Sequence, residues 1–239
     1  MSYVKVTAQQ LKRRKWRAKI AKISLLILAV ILTVIYLVLG IVYNGGRFTI
    51  TLDPNFSVES GIVMYDSQDS KSVTNRLYAE NIEFIDNISI DWIKKDIDTE
   101  KDGSHNGQNY MAYTFYIENR GKDVLNYWVE CYVDDAPRNV DEAIRVMMFL
   151  NGEKEVYAKK NLLTGEAEKG TQPFYSDDLA VLRQRKDFKP KDVDRYTVVI
   201  FLEGDDPDCV DRLIGGEIKM HLDIREEHIE QKQSKKRSK

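Results

Sequence analysis

The chain has 239 residues, a formal net charge of -2, three histidines and two cysteines. So few histidines leave little for acid–base or zinc chemistry, and the sequence holds no His-Glu-x-x-His, Gly-x-Ser-x-Gly or glycine-rich phosphate loop after a strand. The small net charge hides an asymmetry. Eight of the 36 Lys/Arg precede residue 23, and all 38 Asp/Glu follow residue 43, so the part beyond carries a net of -10.

Residues 1–22 form a basic tail with Lys5, Lys12, Arg13, Arg14, Lys15, Arg17, Lys19 and Lys22, and no acid. Residues 23–43 follow without a single charge. A run of about 20 apolar residues crosses a bilayer core as one helix, which satisfies its own backbone hydrogen bonds. It is longer than the apolar core of a cleaved signal peptide and lacks an Ala-x-Ala site, so it reads as an uncleaved anchor. The lopsided Lys/Arg count places the N-terminus in the cytoplasm and everything after Tyr43 outside the cell membrane. The same asymmetry assigns the basic stretch to topology and headgroups rather than to nucleic acid.

Beyond the anchor the apolar period changes to two. Residues 47–52 alternate Phe48, Ile50 and Leu52 with polar residues, and 87–92 do the same with Ile88, Ile90 and Trp92. Residues 110–118 place Met111, Tyr113, Phe115 and Ile117 on one face, and 124–133 run from Leu125 to Val133. Residues 196–202 and 217–224 repeat the pattern, ending on Ile218, Met220, Leu222 and Ile224. Such alternation predicts half-buried antiparallel strands. Asn151-Gly152 predicts a tight hairpin, and Asn119-Arg120-Gly121-Lys122 a turn between two strands. Residues 160–192 read as a long surface excursion with a short helix at Asp178–Arg185. Residues 207–214 read as one helical turn or two, capped by Asp205 or Asp206, the acids favouring the positive end. The fold class is therefore mainly β: a single N-terminal transmembrane helix, then one antiparallel, jelly-roll-like β-sandwich as an extracellular domain over residues 44–224. Residues 225–239 read as a disordered, charged C-terminal tail.

Two sets of residues offer site chemistry. Asp98, Glu100, Asp102, Gly103, Asn106 and Asn109 occupy positions 1, 3, 5, 6, 9 and 12 of a twelve-residue calcium loop, where alternate oxygens ring the ion and glycine makes the sharp turn. Glu at the third position and Asn at the twelfth depart from that pattern, so a polar hairpin loop is the first reading, with calcium as the alternative. Cys131 and Cys209 both lie in apolar surroundings, and an oxidising compartment permits a disulfide between them. Two separate buried thiols are the preferred alternative.

The stretch Thr197–Met220, with its strand, Glu203-Gly204-Asp205-Asp206-Pro207 turn and Gly215-Gly216, resembles the TasA and camelysin-like surface proteins of Gram-positive bacteria; the strand end Phe115–Gly121 fits as well. The resemblance implies a jelly-roll-like sandwich at the cell surface with matrix-forming relatives. It departs from them in keeping an apparent anchor and in offering no zinc triad for a camelysin-like metallopeptidase, the alternative function. The expected function is a non-enzymatic, single-pass surface protein that binds a protein or cell-envelope partner through a strand edge. The first strand, 47–52, is the expected edge.

Overall fold

The computed structural model describes residues 8–43, 48–80, 82 and 85–226. The chain divides into two compact units at Gly45/Gly46. The first holds α1 (Ala8–Tyr43), whose stretch Arg13–Val38 is long and apolar enough to cross a membrane. The helix begins well before the apolar run because Gln9, Gln10, Leu11 and the Lys/Arg that follow are all good helix formers. Its two hydroxyls turn back onto the helix: Ser24 Oγ donates to the Ala21 carbonyl at 3.0 Å, and Thr33 Oγ1 to that of Ala29 at 2.9 Å. Neither then demands an outside partner.

The second unit is mainly β and contains two sheets. The five-stranded sheet runs β10 (Leu179–Phe188), β6 (Leu125–Asp135), β12 (Lys219–Arg225), β1 (Thr49–Leu52), β3 (Arg76–Tyr78). The other runs β2 (Ile62–Tyr65), β5 (Tyr110–Asn119), β11 (Val193–Leu202), β7 (Ile144–Leu150), β8 (Glu153–Ala158), β9 (Gln172–Pro173), with β4 (Gly103–Ser104) beside β5. One hydrophobic cluster draws on both. Ile50, Leu52, Val129, Leu222 and Ile224 come from the first sheet, and Met64, Phe115, Ile117, Val198 and Ile200 from the second. The alternating positions of 47–52, 110–118 and 217–224 thus supply the core.

Several sequence expectations are corrected. Pairing is not wholly antiparallel: β1 runs parallel to β12, with Ile50 opposite Leu222, and β8 runs parallel to β9. Because β3 covers its other side, β1 is an interior strand and not an edge. Residues 87–92 form one bridge, Ile88 to Glu203, and a 3-10 turn at Ile90–Trp92. Trp92 is exposed, while Ile88 and Ile90 serve a second cluster instead. There Ile88, Ile93 and Ile97 cover Ala112, Met147, Phe149, Val199 and Phe201 on the outer side of the seven-stranded sheet. This is why β7 is buried along its whole length.

The expected helix at 178–185 is the strand β10, because antiparallel pairing to β6 from Leu179–Tyr132 to Phe188–Leu125 overrides local preference. The expected excursion at 160–192 therefore contains two strands. Of the one or two helical turns expected at 207–214, the structure has one, a 3-10 turn at Asp211–Leu213. Asn151 (φ 53°) and Gly152 (φ 90°) make the two-residue hairpin between β7 and β8. The turn at Asn119–Lys122 joins strands of different sheets, and buried Asn119 holds it by donating to the carbonyls of Asp123 and Phe188, both at 3.0 Å. Gly121 is obligatory there, since a Cβ would stand 2.0 Å from the Ser60 carbonyl oxygen.

Candidate functional site

The residues of the calcium-loop pattern are spread over protein partners and do not face one centre. Asp98 lies in the short helix α2 (Ile97–Glu100), with Arg195 at 3.9 Å, and Glu100 pairs with Lys94. Asp102 accepts from the Gln68 backbone N–H at 2.9 Å and from the Tyr116 hydroxyl at 2.6 Å. Burial and that carboxylate push the Tyr116 hydroxyl up to about 12. Asn106 donates to the Glu80 carbonyl and accepts from the Ala112 N–H, while Asn109 accepts from the Asp86 N–H. Gly103 does take the positive φ, 69°, that the pattern asks for. Asp102, Asn106 and Asn109 thus bond to neighbouring segments, while Asp98 and Glu100 face cations.

Both cysteines are free thiols. Cys131 sits on β6 inside the main core, where burial drives its pKa up. Cys209 lies on the loop after β11 and receives a bond from Asn87 Nδ2 at 3.7 Å; burial raises its pKa too. His105 bonds the carbonyls of Gly103 and Ile97 through its two ring nitrogens. His221 lies against Asp134 on the five-stranded sheet. Among the described residues neither histidine joins a group of candidate metal ligands. His228 lies outside the described residues.

The structure instead gathers charge around the start of β7. Arg145 follows Ile144 in an otherwise apolar strand and is 4% exposed. Its guanidinium meets Asp206 Oδ2 at 2.5 Å. That contact is ionic and lacks the alignment of a directed hydrogen bond. Asp206 Oδ1 accepts from the Asp208 backbone N–H at 2.8 Å, and Asp208 Oδ2 from the Leu162 N–H at 2.9 Å. Glu168 Oε1 accepts from Asn161 Nδ2 at 3.0 Å. One carboxylate oxygen from each of Glu168, Asp206 and Asp208 lies within 4.8 Å of the others.

Nearby, Lys159 pairs with Asp141 and lies 3.5 Å from Glu142. Burial pushes the Glu142 carboxyl up, with Asp141 and Asp208 adding to it and Lys159 opposing. Burial also raises Glu203, whose two oxygens accept from the N–H groups of Asp205 and Ile90. An all-oxygen set of this kind suits a hard divalent cation rather than zinc. Arg145 already supplies a positive charge to it.

Sequence reasoning placed Asp206 and Asp208 at a helix end and passed over their partners. Arg145, a lone cation within the apolar run Ile144–Leu150, was the readable signal for a buried ion pair. Glu168 is brought in by the turn at Asn161–Gly165, and no local pattern marks it.

No family model matches this chain, and no curated protein matches it. Among solved structures, the crystal structure of a beta-glucosidase from Kluyveromyces marxianus in complex with glucose is similar over 70% of this chain and 16% of that one. The identity is 14% and the TM-score 0.27, too low to carry an argument about fold or activity.

Proposed function

We propose that this chain is a single-pass, membrane-anchored cell-surface protein whose β unit is a jelly-roll-like sandwich that binds a partner and catalyses nothing. The observation that carries this reading is the division of the chain. One unit is a helix with an apolar span and no acidic side chain; the other is a separate β unit with its own core. The basic residues before Ile23 favour a cytoplasmic N-terminus, which puts the β unit outside. The pattern over Thr197–Met220 supports kinship with TasA and camelysin-like surface proteins.

A strand-edge contact would use β3 rather than β1. The longer edge, β10, carries Arg183, Arg185 and Lys186 and two register irregularities, devices that discourage further pairing. The short β3 presents Tyr78, 54% exposed.

Protease added to intact cells, or to protoplasts where a wall blocks access, tests the topology: the unit after Gly46 is digested. Protection before lysis with cleavage after it would overturn the orientation. Stoichiometric zinc in the purified chain together with cleavage of casein would overturn the non-enzymatic reading.

A further inference from the structure

We propose that the first half of α1 is a binding segment for anionic phospholipid headgroups, engaged through Arg17, Lys19 and Lys22 more than through Arg13 and Arg14. The inference rests on the reading that the apolar part of α1 spans a bilayer, and it adds the lipid class that the helix selects.

Arg13, Arg14, Lys15, Arg17, Lys19 and Lys22 are all exposed, in a helix that contains no acidic residue. No ion pair is described for any of them. A helix with this charge distribution calls for anions from outside. At 3.6 residues per turn, Trp16, Ile20, Ile23 and Ile27 fall on one stripe, since their spacings are four, seven and eleven. That stripe carries apolar surface out of the membrane span into the basic segment, ending on Trp16 (66% exposed). The cations occupy the rest of the helix surface.

Distance then ranks them. From Lys22 to Arg13 the helix rises roughly 14 Å. A headgroup layer is only about 5–8 Å thick on each side of the hydrocarbon. Lys19 and Lys22 therefore lie within that layer, and the long side chain of Arg17 reaches back to it. Arg13 and Arg14 stand roughly 12–14 Å from the apolar boundary, outside that layer, where salt weakens their attraction to it. Phosphates on a nucleic acid offer the same charge, but they would favour the outer cations, which are the ones free of the bilayer.

The test uses the full chain in nanodiscs of mixed phosphatidylcholine and phosphatidylglycerol, with native mass spectrometry counting the lipids that stay bound. Nanodiscs expose both faces, so a variant that inserts the other way round is still read. Wild type is expected to retain phosphatidylglycerol preferentially. Lys19→Gln/Lys22→Gln is expected to lower that preference about fivefold for each cation removed, and Arg13→Gln/Arg14→Gln by less than twofold in total. Equal retention of the two lipids would overturn the proposal, as would an outer pair that matters as much as the inner one. So would displacement of the bound lipid by a short duplex at physiological salt, an outcome that favours nucleic acid. Resistance of the chain to alkaline carbonate extraction separates the two failures: a chain that stays in the bilayer without lipid preference sinks this inference alone, whereas an extractable chain sinks the membrane reading beneath it.

Discussion

Among the carboxylates buried in the β unit, Asp194 at 1% exposure and Asp206 at 5% are held in opposite ways. Asp194 is saturated by directed donors from three elements. The Tyr127 hydroxyl reaches it at 2.6 Å, Arg185 Nε at 2.8 Å and Asn151 Nδ2 at 2.8 Å, while Tyr196 lies 3.0 Å from Tyr127. Tyr127 and Arg185 belong to the five-stranded sheet, and Asp194, Tyr196 and Asn151 to the strands and hairpin of the other. The network therefore ties one sheet to the other. Burial, with the Asp194 charge, drives the Tyr127 hydroxyl well above its ordinary value, so it stays a donor. Asp206 has one guanidinium and two further carboxylates for company. A buried charge is tolerated when its hydrogen-bonding capacity is filled, and it is costly when like charges crowd it. Asp194 is thus a fastening between the sheets, and the Asp206 cluster is a place where stability is given up.

The largest effect is expected at the fastening. Asp194→Ala leaves Tyr127, Asn151 and Arg185 without their shared acceptor and should destabilise the β unit by about 3–5 kcal/mol. Urea unfolding of the full chain in detergent, followed by tryptophan fluorescence, measures it. A loss below about 1 kcal/mol would mean that water replaces the carboxylate there, and the contrast with Asp206 would collapse. Arg145→Ala comes next, at about 3 kcal/mol, because Asp206 and Asp208 stay buried without their cation. The double variant Arg145→Ala/Asp206→Ala should be less destabilised than the sum of the singles, and additivity would show that the pair is not coupled.

The contrast also marks how far the sequence could be read. Strands β1, β5, β11 and β12 were legible because each buries one alternate set of side chains in the shared core, and a period of two records that directly. The Asn151-Gly152 hairpin was legible because its chemistry is local. β10 was not, since its stability comes from pairing with β6, roughly fifty residues earlier in the register, and its charged half mimics a helix surface. Residues 87–92 alternate like a strand, yet Ile88 and Ile90 cap a sheet face that only the assembled fold creates. The interior place of β1 was equally hidden, because it is made by the last strand of the chain. Of the two carboxylates compared, Asp206 sits in a visible acidic run, while Asp194 lies in an unremarkable stretch, Lys191–Arg195. Convergence over long separations is what neither composition nor spacing encodes.

A smaller change, of opposite sign, sharpens the comparison. Glu168→Gln keeps the oxygen that accepts from Asn161 and removes one anion from beside Asp206 and Asp208. Relief of like charge should stabilise the β unit by up to about 1 kcal/mol. Asp194→Asn, which removes a charge from the saturated network, should destabilise it. If both changes destabilise alike in urea, then crowding at Asp206 is not what distinguishes the two sites.

The smallest effect belongs to a third carboxylate, on the face of the five-stranded sheet that points away from the core. Asp223 faces the His221 ring at 3.7 Å and pairs with Arg225, on the outward side of the five-stranded sheet. His221 Nδ1 lies 2.8 Å from Asp134, and its ring stacks on Tyr132, whose hydroxyl donates to Glu130. The Asp223 carboxylate raises the His221 pKa above its ordinary value; burial opposes this, and the hydrogen bond to Asp134 adds to the rise. Folded His221 thus holds its proton more tightly than the unfolded chain does. Its contribution to stability is complete below about pH 6.5 and is lost as pH rises through the folded value. Asp223 behaves in the opposite sense. Burial alone would raise it, but His221 and Arg225 outweigh burial and hold it low. Its contribution is therefore present above its ordinary value and is lost only as acid passes the lowered one. Between about pH 6 and pH 8 only the histidine should matter on this face. Wild type should lose stability relative to His221→Gln across that interval, and the difference between their urea midpoints isolates His221 from every group that the two proteins share. A difference that grows in favour of wild type as the pH rises would show that the ring is held neutral, and that the Asp134–His221–Asp223 array is a set of neutral hydrogen bonds rather than an ion pair.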